Sequence, residues 1–257
     1  MKYLIIVIVT FFAGMGAGLG TGFAGMSAAA VISPMLITFL HIPAYEAVGI
    51  ALASDVLASA VSAYTYKRNG NLDVRNGLVM MATVLVFTLL GSWAASLLPE
   101  STMGGFSTFM TLLLGIKFIL RPVMTTKEEM QAVSKKKRLI QSIVCGAVIG
   151  TICGVVGAGG GMMMLLILTS VLGYELKTAV GTSVFIMAFT ALTGSLSHFA
   201  IGGLGHYLEL VLCIVFTLLW ARIAAVFANK AEPKTLSRIT GVVLVILGVV
   251  ILGVKYL

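Results

Sequence analysis

Long apolar runs separated by short polar loops account for nearly all of this 257-residue chain. One of them, Leu139 to Tyr174, extends 36 residues without a charged side chain. The pattern divides into ten segments: roughly 3–22, 25–40, 46–66, 76–98 and 102–120, then 139–155, 159–173, 178–199, 207–229 and 236–256. Their length and continuity predict helices, since strands of a membrane barrel would be alternating segments of about 10 residues. A crossing needs about 20 residues. The segments 25–40 and 159–173 fall short of that and are predicted as tilted spans or re-entrant half-helices.

The second half repeats the first at an offset of 132 residues, without a gap. Gly14, Gly18, Gly22 and Gly25 fall on Gly146, Gly150, Gly154 and Gly157. Ala47-Val48-Gly49 falls on Ala179-Val180-Gly181, and Gly70 and Leu72 on Gly202 and Leu204. This many landmarks at one offset indicate duplication. The start of the chain, one lysine and an apolar run, resembles a signal peptide. Because the region recurs as an internal repeat, it is read as a first span.

Composition agrees with a polytopic membrane protein: 59% hydrophobic, 10% charged, mean hydropathy +1.09, against about 25% charged in soluble domains. The net charge of +8 does not indicate nucleic acid, because the basic residues sit in short loops. Loop 67–75 carries Lys67, Arg68 and Arg75, whereas its partner at 200–206 has no lysine or arginine. The reverse holds for the loop at Pro99-Glu100 and its partner with Lys230, Lys234 and Arg238. The linker 121–138 holds six basic residues. By the positive-inside rule, 67–75, 121–138 and 230–238 are cytoplasmic. Equivalent loops then lie on opposite sides. The expected organisation is two inverted-topology repeats, 1–120 and 139–257, of about five helical segments each, joined by the basic linker, with both termini outside. Cys145, Cys153 and Cys213 lie in apolar runs and read as small buried hydrophobes.

Glycine in a helix interior costs about 1 kcal/mol relative to alanine, yet Gly157, Gly159, Gly160 and Gly161 occupy four of five consecutive positions. The ladder Gly14/Gly18/Gly22 and its mate suit small-xxx-small helix packing. Three consecutive glycines suit a helix broken at membrane depth instead. Its freed N–H groups and helix N-terminus would favour an anion. Inverted repeats with matching interruptions are a signature of secondary transporters. On this reading Gly160→Leu abolishes transport, while Gly16, off the ladder, accepts leucine.

These features resemble the TauE/SafE (TSUP) family of sulfite and organosulfur-anion transporters. The resemblance rests on GVVGAGGG at 154–161 and TAVGTS at 178–183, with GFAGMSAAAVISP at 22–34 and EAVGIALASD at 46–55 as the first-half pair. It implies export of sulfite, an organosulfonate or a related small sulfur anion across the cytoplasmic membrane. Uptake carriage and a passive channel remain alternatives.

The candidate substrate-binding residues are Gly22, Gly25, Ser27, Ser54, Gly154, Gly157, Gly159, Gly160, Gly161, Thr182 and Ser183. Glycines expose backbone donors, and short hydroxyls can donate to an oxyanion; serine and threonine also commonly bond back to their own helix. Asp55 is the only acidic residue well inside an apolar segment. A carboxylate at such depth is costly and functional by default, here as a candidate proton-coupling group, with His198 as a second. Met187 stands where the repeat would place Asp55's mate. A remote alternative is an intramembrane serine hydrolase using Ser27 with His198 or His206. No zincin or Walker motif occurs in the chain, and neither enzyme activity, cofactor nor metal is expected. The expected partners are the anion and the bilayer, and a homodimer is left open.

Overall fold

A computed structural model describes residues 2–95, 106–156 and 160–255. The described residues form α1 (Lys2–Ala24), α2 (Ala29–Leu40), α3 (Ala44–Arg68), α4 (Val74–Ala95), α5 (Phe106–Leu120), α6 (Lys127–Ala132), α7 (Lys135–Val156), α8 (Gly160–Ser170), α9 (Leu176–Gly202), α10 (Tyr207–Lys230) and α11 (Pro233–Lys255). The protein is thus an all-α polytopic membrane protein. Five of these helices, α1, α3, α9, α10 and α11, are long and apolar enough to cross a membrane. At 1.5 Å per residue, α2 with 12 residues and α8 with 11 reach about 18 and 16 Å. At that length α2 does not cross a hydrocarbon core of about 30 Å, and it stands as a half-length helix; residues 157–159, just before α8, lie outside the described residues.

The basic linker differs from its expected form in two ways. It contains α6, held by a reciprocal cap: Thr126 Oγ1 accepts from Glu129 N (3.2 Å) and Glu129 Oε2 from Thr126 N (2.9 Å). Its last residues, from Lys135, already belong to α7.

Hydrogen bonds define two ends of the bundle. At the basic end, Lys127 Nζ donates to Gly70 O and Asn71 Oδ1 (both 2.8 Å), and Asn71 donates to Asn229 (2.7 Å). Lys177 reaches Asn229 O (3.0 Å), and Tyr174 Oη donates to Asp73 (2.8 Å). Arg138 lies 4.0 Å from Asp73 and 5.1 Å from the Tyr174 ring centre. At the other end, Glu46 Oε1 accepts from the backbone of Gly205 (2.6 Å) and His206 (2.8 Å). Helix α3 therefore runs from the Glu46 end to the basic end, and α9, its counterpart at the 132-residue offset, runs back. The last turns of α2 and α11 meet through Thr38 and the Val254 carbonyl (3.4 Å).

Packing also follows the offset. Helix α1 lies on α10, and α7 on α4; α3 packs on α9, and α5 on α11. The glycine ladders make the first two contacts. A Cβ at Gly18 would stand 2.6 Å from Thr217 O, and one at Gly150 2.6 Å from Val84 O. Only glycine allows these backbones so close. Gly16 is not free space: a Cβ there would meet Leu247 at 3.1 Å and Val31 at 3.3 Å. The expectation that it accepts leucine is corrected, because it packs between α11 and α2.

Candidate functional site

Helix α1 ends where Gly25 takes φ +60°, a left-handed conformation that costs glycine least. Gly25 N still donates to Thr21 O (2.9 Å), and Thr21 Oγ1 donates to the Met26 carbonyl (2.8 Å). Ser27 and Ala28 then lead into α2. The first N–H groups of any helix lack intrahelical partners. Here Asp55 supplies one. Its Oδ2 accepts from Ala28 N (3.1 Å) and from Ser27 Oγ (2.8 Å), and Ser27 Oγ in turn accepts from Ala29 N (3.3 Å). Ser59, one turn further along α3, donates to Oδ1 (2.8 Å).

Asp55 is the twelfth of 25 residues in α3 and fully buried. Neither ion pair found among the described residues involves it. Three donors and the positive end of a half-helix thus surround one carboxylate, an arrangement that stabilises negative charge without a counter-cation.

The start of α8 lies against the end of α1. Helix α7 ends at Val156 and α8 begins at Gly160; Gly157 and Gly159 lie outside the described residues. A Cβ at Gly161 would stand 2.5 Å from Gly25 O, 2.5 Å from Met187 Sδ and 3.1 Å from Ser27 N. Ser183 Oγ donates to Gly25 O (3.1 Å). Gly25, Ser27, Asp55, Gly161, Ser183 and Met187 therefore share one locus, and the start of α8 abuts the start of α2.

Other candidates are placed elsewhere. Gly22 packs on Ala224 and Ala221 as a rung of the α1 ladder. Ser54 Oγ bonds Ile50 O in its own helix (2.9 Å). Thr182 Oγ1 accepts from Asp73 N at the basic end (3.2 Å). Gly154 lies in the last turn of α7 and Gly160 opens α8. His198 contacts Tyr45, ring to ring at 4.2 Å and Nδ1 to carbonyl at 3.0 Å. Tyr45 is ten residues before Asp55, about 15 Å along α3. His198 thus stands at the Glu46 end, as does His206. Ser27 has its hydroxyl on Asp55, so the pairing that the hydrolase alternative needs does not form. Ser59 was missed by sequence reasoning. Its spacing of four from Asp55 on a helix was the available signal.

Membrane-length helices packed around the start of α2, where a buried carboxylate sits, make a multi-pass membrane protein, and the comparisons below make it a transporter. The family model described as "Sulfite exporter TauE/SafE" matches residues 10–251, and the chain belongs to that family. It is 24% identical over 226 residues to "Probable membrane transporter protein YdhB" of Bacillus subtilis, covering 88% of this chain and 90% of the relative. It is 23% identical over 264 residues to "Probable membrane transporter protein YunE" of the same organism, covering 96% of each. A relative in Methanocaldococcus jannaschii, "Probable membrane transporter protein MJ0441", is 24% identical over 244 residues, 92% of this chain and 87% of its own. No solved structure gives a significant match. The protein is a membrane transporter rather than an enzyme, set in the cell membrane.

Proposed function

We propose that the protein is a secondary transporter that exports sulfite or an organosulfonate, with Asp55 as its proton-binding group. The family description supports the sulfur oxyanion and the outward direction. The observation that carries the coupling is the placement of Asp55 at the start of α2. A half-helix N-terminus with a serine hydroxyl is a place for an oxyanion. In this structure the protein's own carboxylate occupies it.

The mechanism follows from that competition. A second anion beside a charged Asp55 is repelled, and the donors it would use are engaged. A proton on Asp55 removes the charge and loosens the hold on Ala28 N–H and Ser27 O–H. An oxyanion can then take these donors, with the Ser183 hydroxyl alongside. Proton and anion therefore move together, rather than the proton moving inward against the anion. A dianion leaving with one proton still carries one negative charge. The membrane potential, negative inside, favours that exit by about 2.3 kcal/mol per 100 mV.

The two halves are read as inverted-topology repeats, with the basic end cytoplasmic and both termini external. The loop charges and the opposed directions of α3 and α9 support this reading.

Reconstituted vesicles with the potential clamped provide the test. Sulfite, two organosulfonates and chloride are compared for flux and for accompanying proton movement. The expected result is saturable flux of the sulfur oxyanions with protons moving the same way. Non-saturating flux without proton movement would identify a channel. Counter-movement of protons would remove the competition mechanism.

A further inference from the structure

Arg222 interrupts an apolar helix eight residues before Lys230, about 12 Å inside the basic end of α10. A cation at that depth is costly unless it reaches an anion or the interface. It does not stand alone. A cavity of about 460 Å³ between the ends of α3 and α10 is lined by both Arg222 and Arg68, together with Val61, Tyr64 and Val226. The ion pairs found among the described residues join Arg138 to Asp73 and His206 to Glu46; neither involves Arg68 or Arg222. Two cations on one cavity repel each other, so an anion between them lowers the energy of both. Guanidinium groups match the oxygens of a phosphate in pairs.

The remaining wall distinguishes a lipid from a free ion. Thr65 and Asn69 add polar groups beside Arg68, Val61 and Val226 are apolar, and Tyr64 is 65% exposed. One to two turns deeper, Leu57 on α3 and Leu219 on α10 are also exposed, at 45% and 51%. A ligand seated here has an anionic head between the arginines and an apolar tail along Leu57 and Leu219. Tyrosine at the level of the head fits the membrane interface.

We infer that the Arg68–Arg222 cavity binds the phosphate diester of an anionic phospholipid, with its acyl chains along the outer faces of α3 and α10. The site is separate from the Asp55 locus and independent of which substrate is carried. Basic pockets between transmembrane helices on the cytoplasmic side suit such headgroups.

The test uses the full chain purified in detergent. Its melting temperature is measured with added phosphatidylglycerol, phosphatidylcholine or inorganic phosphate. Phosphatidylglycerol is expected to raise it by about 3–6 °C, with phosphatidylcholine and phosphate giving little. The double variant R68Q/R222Q should keep a third of that rise or less. R121Q, which removes a charge at the same end but outside the cavity, should keep all of it. Both cavity arginines are exposed, so the double variant is expected to fold; the single variant R222Q, expected to lose about half the rise, carries the same test. An equal rise in wild type and R68Q/R222Q would overturn the site. An arginine-dependent rise with inorganic phosphate alone would overturn the lipid as its ligand.

Discussion

The starts of the two short helices, α2 and α8, lie side by side and differ in what they meet. At the first, Asp55 caps α2 with a carboxylate held by Ser27, Ala28 and Ser59. At the second, the equivalent register on α9 carries Met187, whose sulfur packs against Gly161. The glycine ladders are more alike: α1 touches α10 and α7 touches α4 through glycines at matched positions. The scaffold around the meeting point is alike on both sides, while the carboxylate stands on one side only. A single carboxylate at the meeting point makes one protonatable unit, whereas two facing carboxylates would repel each other across a poorly screened interior.

The largest expected effect comes from closing the meeting point. Gly161→Leu drives a side chain into the Gly25 carbonyl and the Ser27 amide, which are backbone and cannot turn aside. Substrate flux in vesicles should vanish while the chain still reaches the membrane. Wild-type flux would mean that the two breaks need not touch.

Asp55→Asn tests the asymmetry itself. Asparagine keeps an acceptor for Ala28 N–H but cannot exchange a proton. Flux of an organosulfonate, whose own charge is fixed, should rise as pH falls in wild type and become independent of pH in the variant. Downhill exchange should survive. An unchanged pH profile would make Asp55 a structural cap.

Gly18→Ala and Gly150→Ala measure how equal the scaffold is. Each puts a methyl group 2.6 Å from a backbone oxygen of the facing helix. Overpacking of this kind costs about 1–3 kcal/mol, so each should lower the melting temperature by a few degrees, and by similar amounts. A loss at one ladder only would show that the halves no longer share a scaffold.

The smallest effect is expected at Gly253, where nothing stands within 4 Å of an added Cβ. Gly253→Ala should leave flux unchanged and raise stability slightly, since alanine favours a helix by about 1 kcal/mol. It replaces Gly16 as the control position. A marked loss of flux at Gly253 would put a contact at that end of α11 that packing within one chain does not provide.

Much of the fold could be read from the chain because each clue was local. The lengths and continuity of the apolar segments predicted helices that the structure contains, the short α2 among them. Helix α6 was overlooked, although the Thr126-to-Glu129 spacing of its cap was visible. At the site, Asp55 stood out because a charge in an apolar run has few explanations. Ser54 and Thr182 sit in the same motifs, yet successive residues on a helix point about 100° apart. One neighbour of Asp55 therefore faces its own helix, and Thr182 turns to the basic end.

What the sequence alone determined was the helical character, approximate length and polarity of the membrane segments. Hydrocarbon offers no partner for a backbone N–H or C=O, so a long apolar run must satisfy itself as a helix wherever it lies. Only the tertiary structure decided what Asp55 meets. Its bonds to Ser27 and Ala28 span 28 and 27 residues, and the bond of Ser183 to Gly25 spans 158. Contacts over such separations follow from how helices pack side by side, through surfaces that each segment's own pattern leaves unspecified.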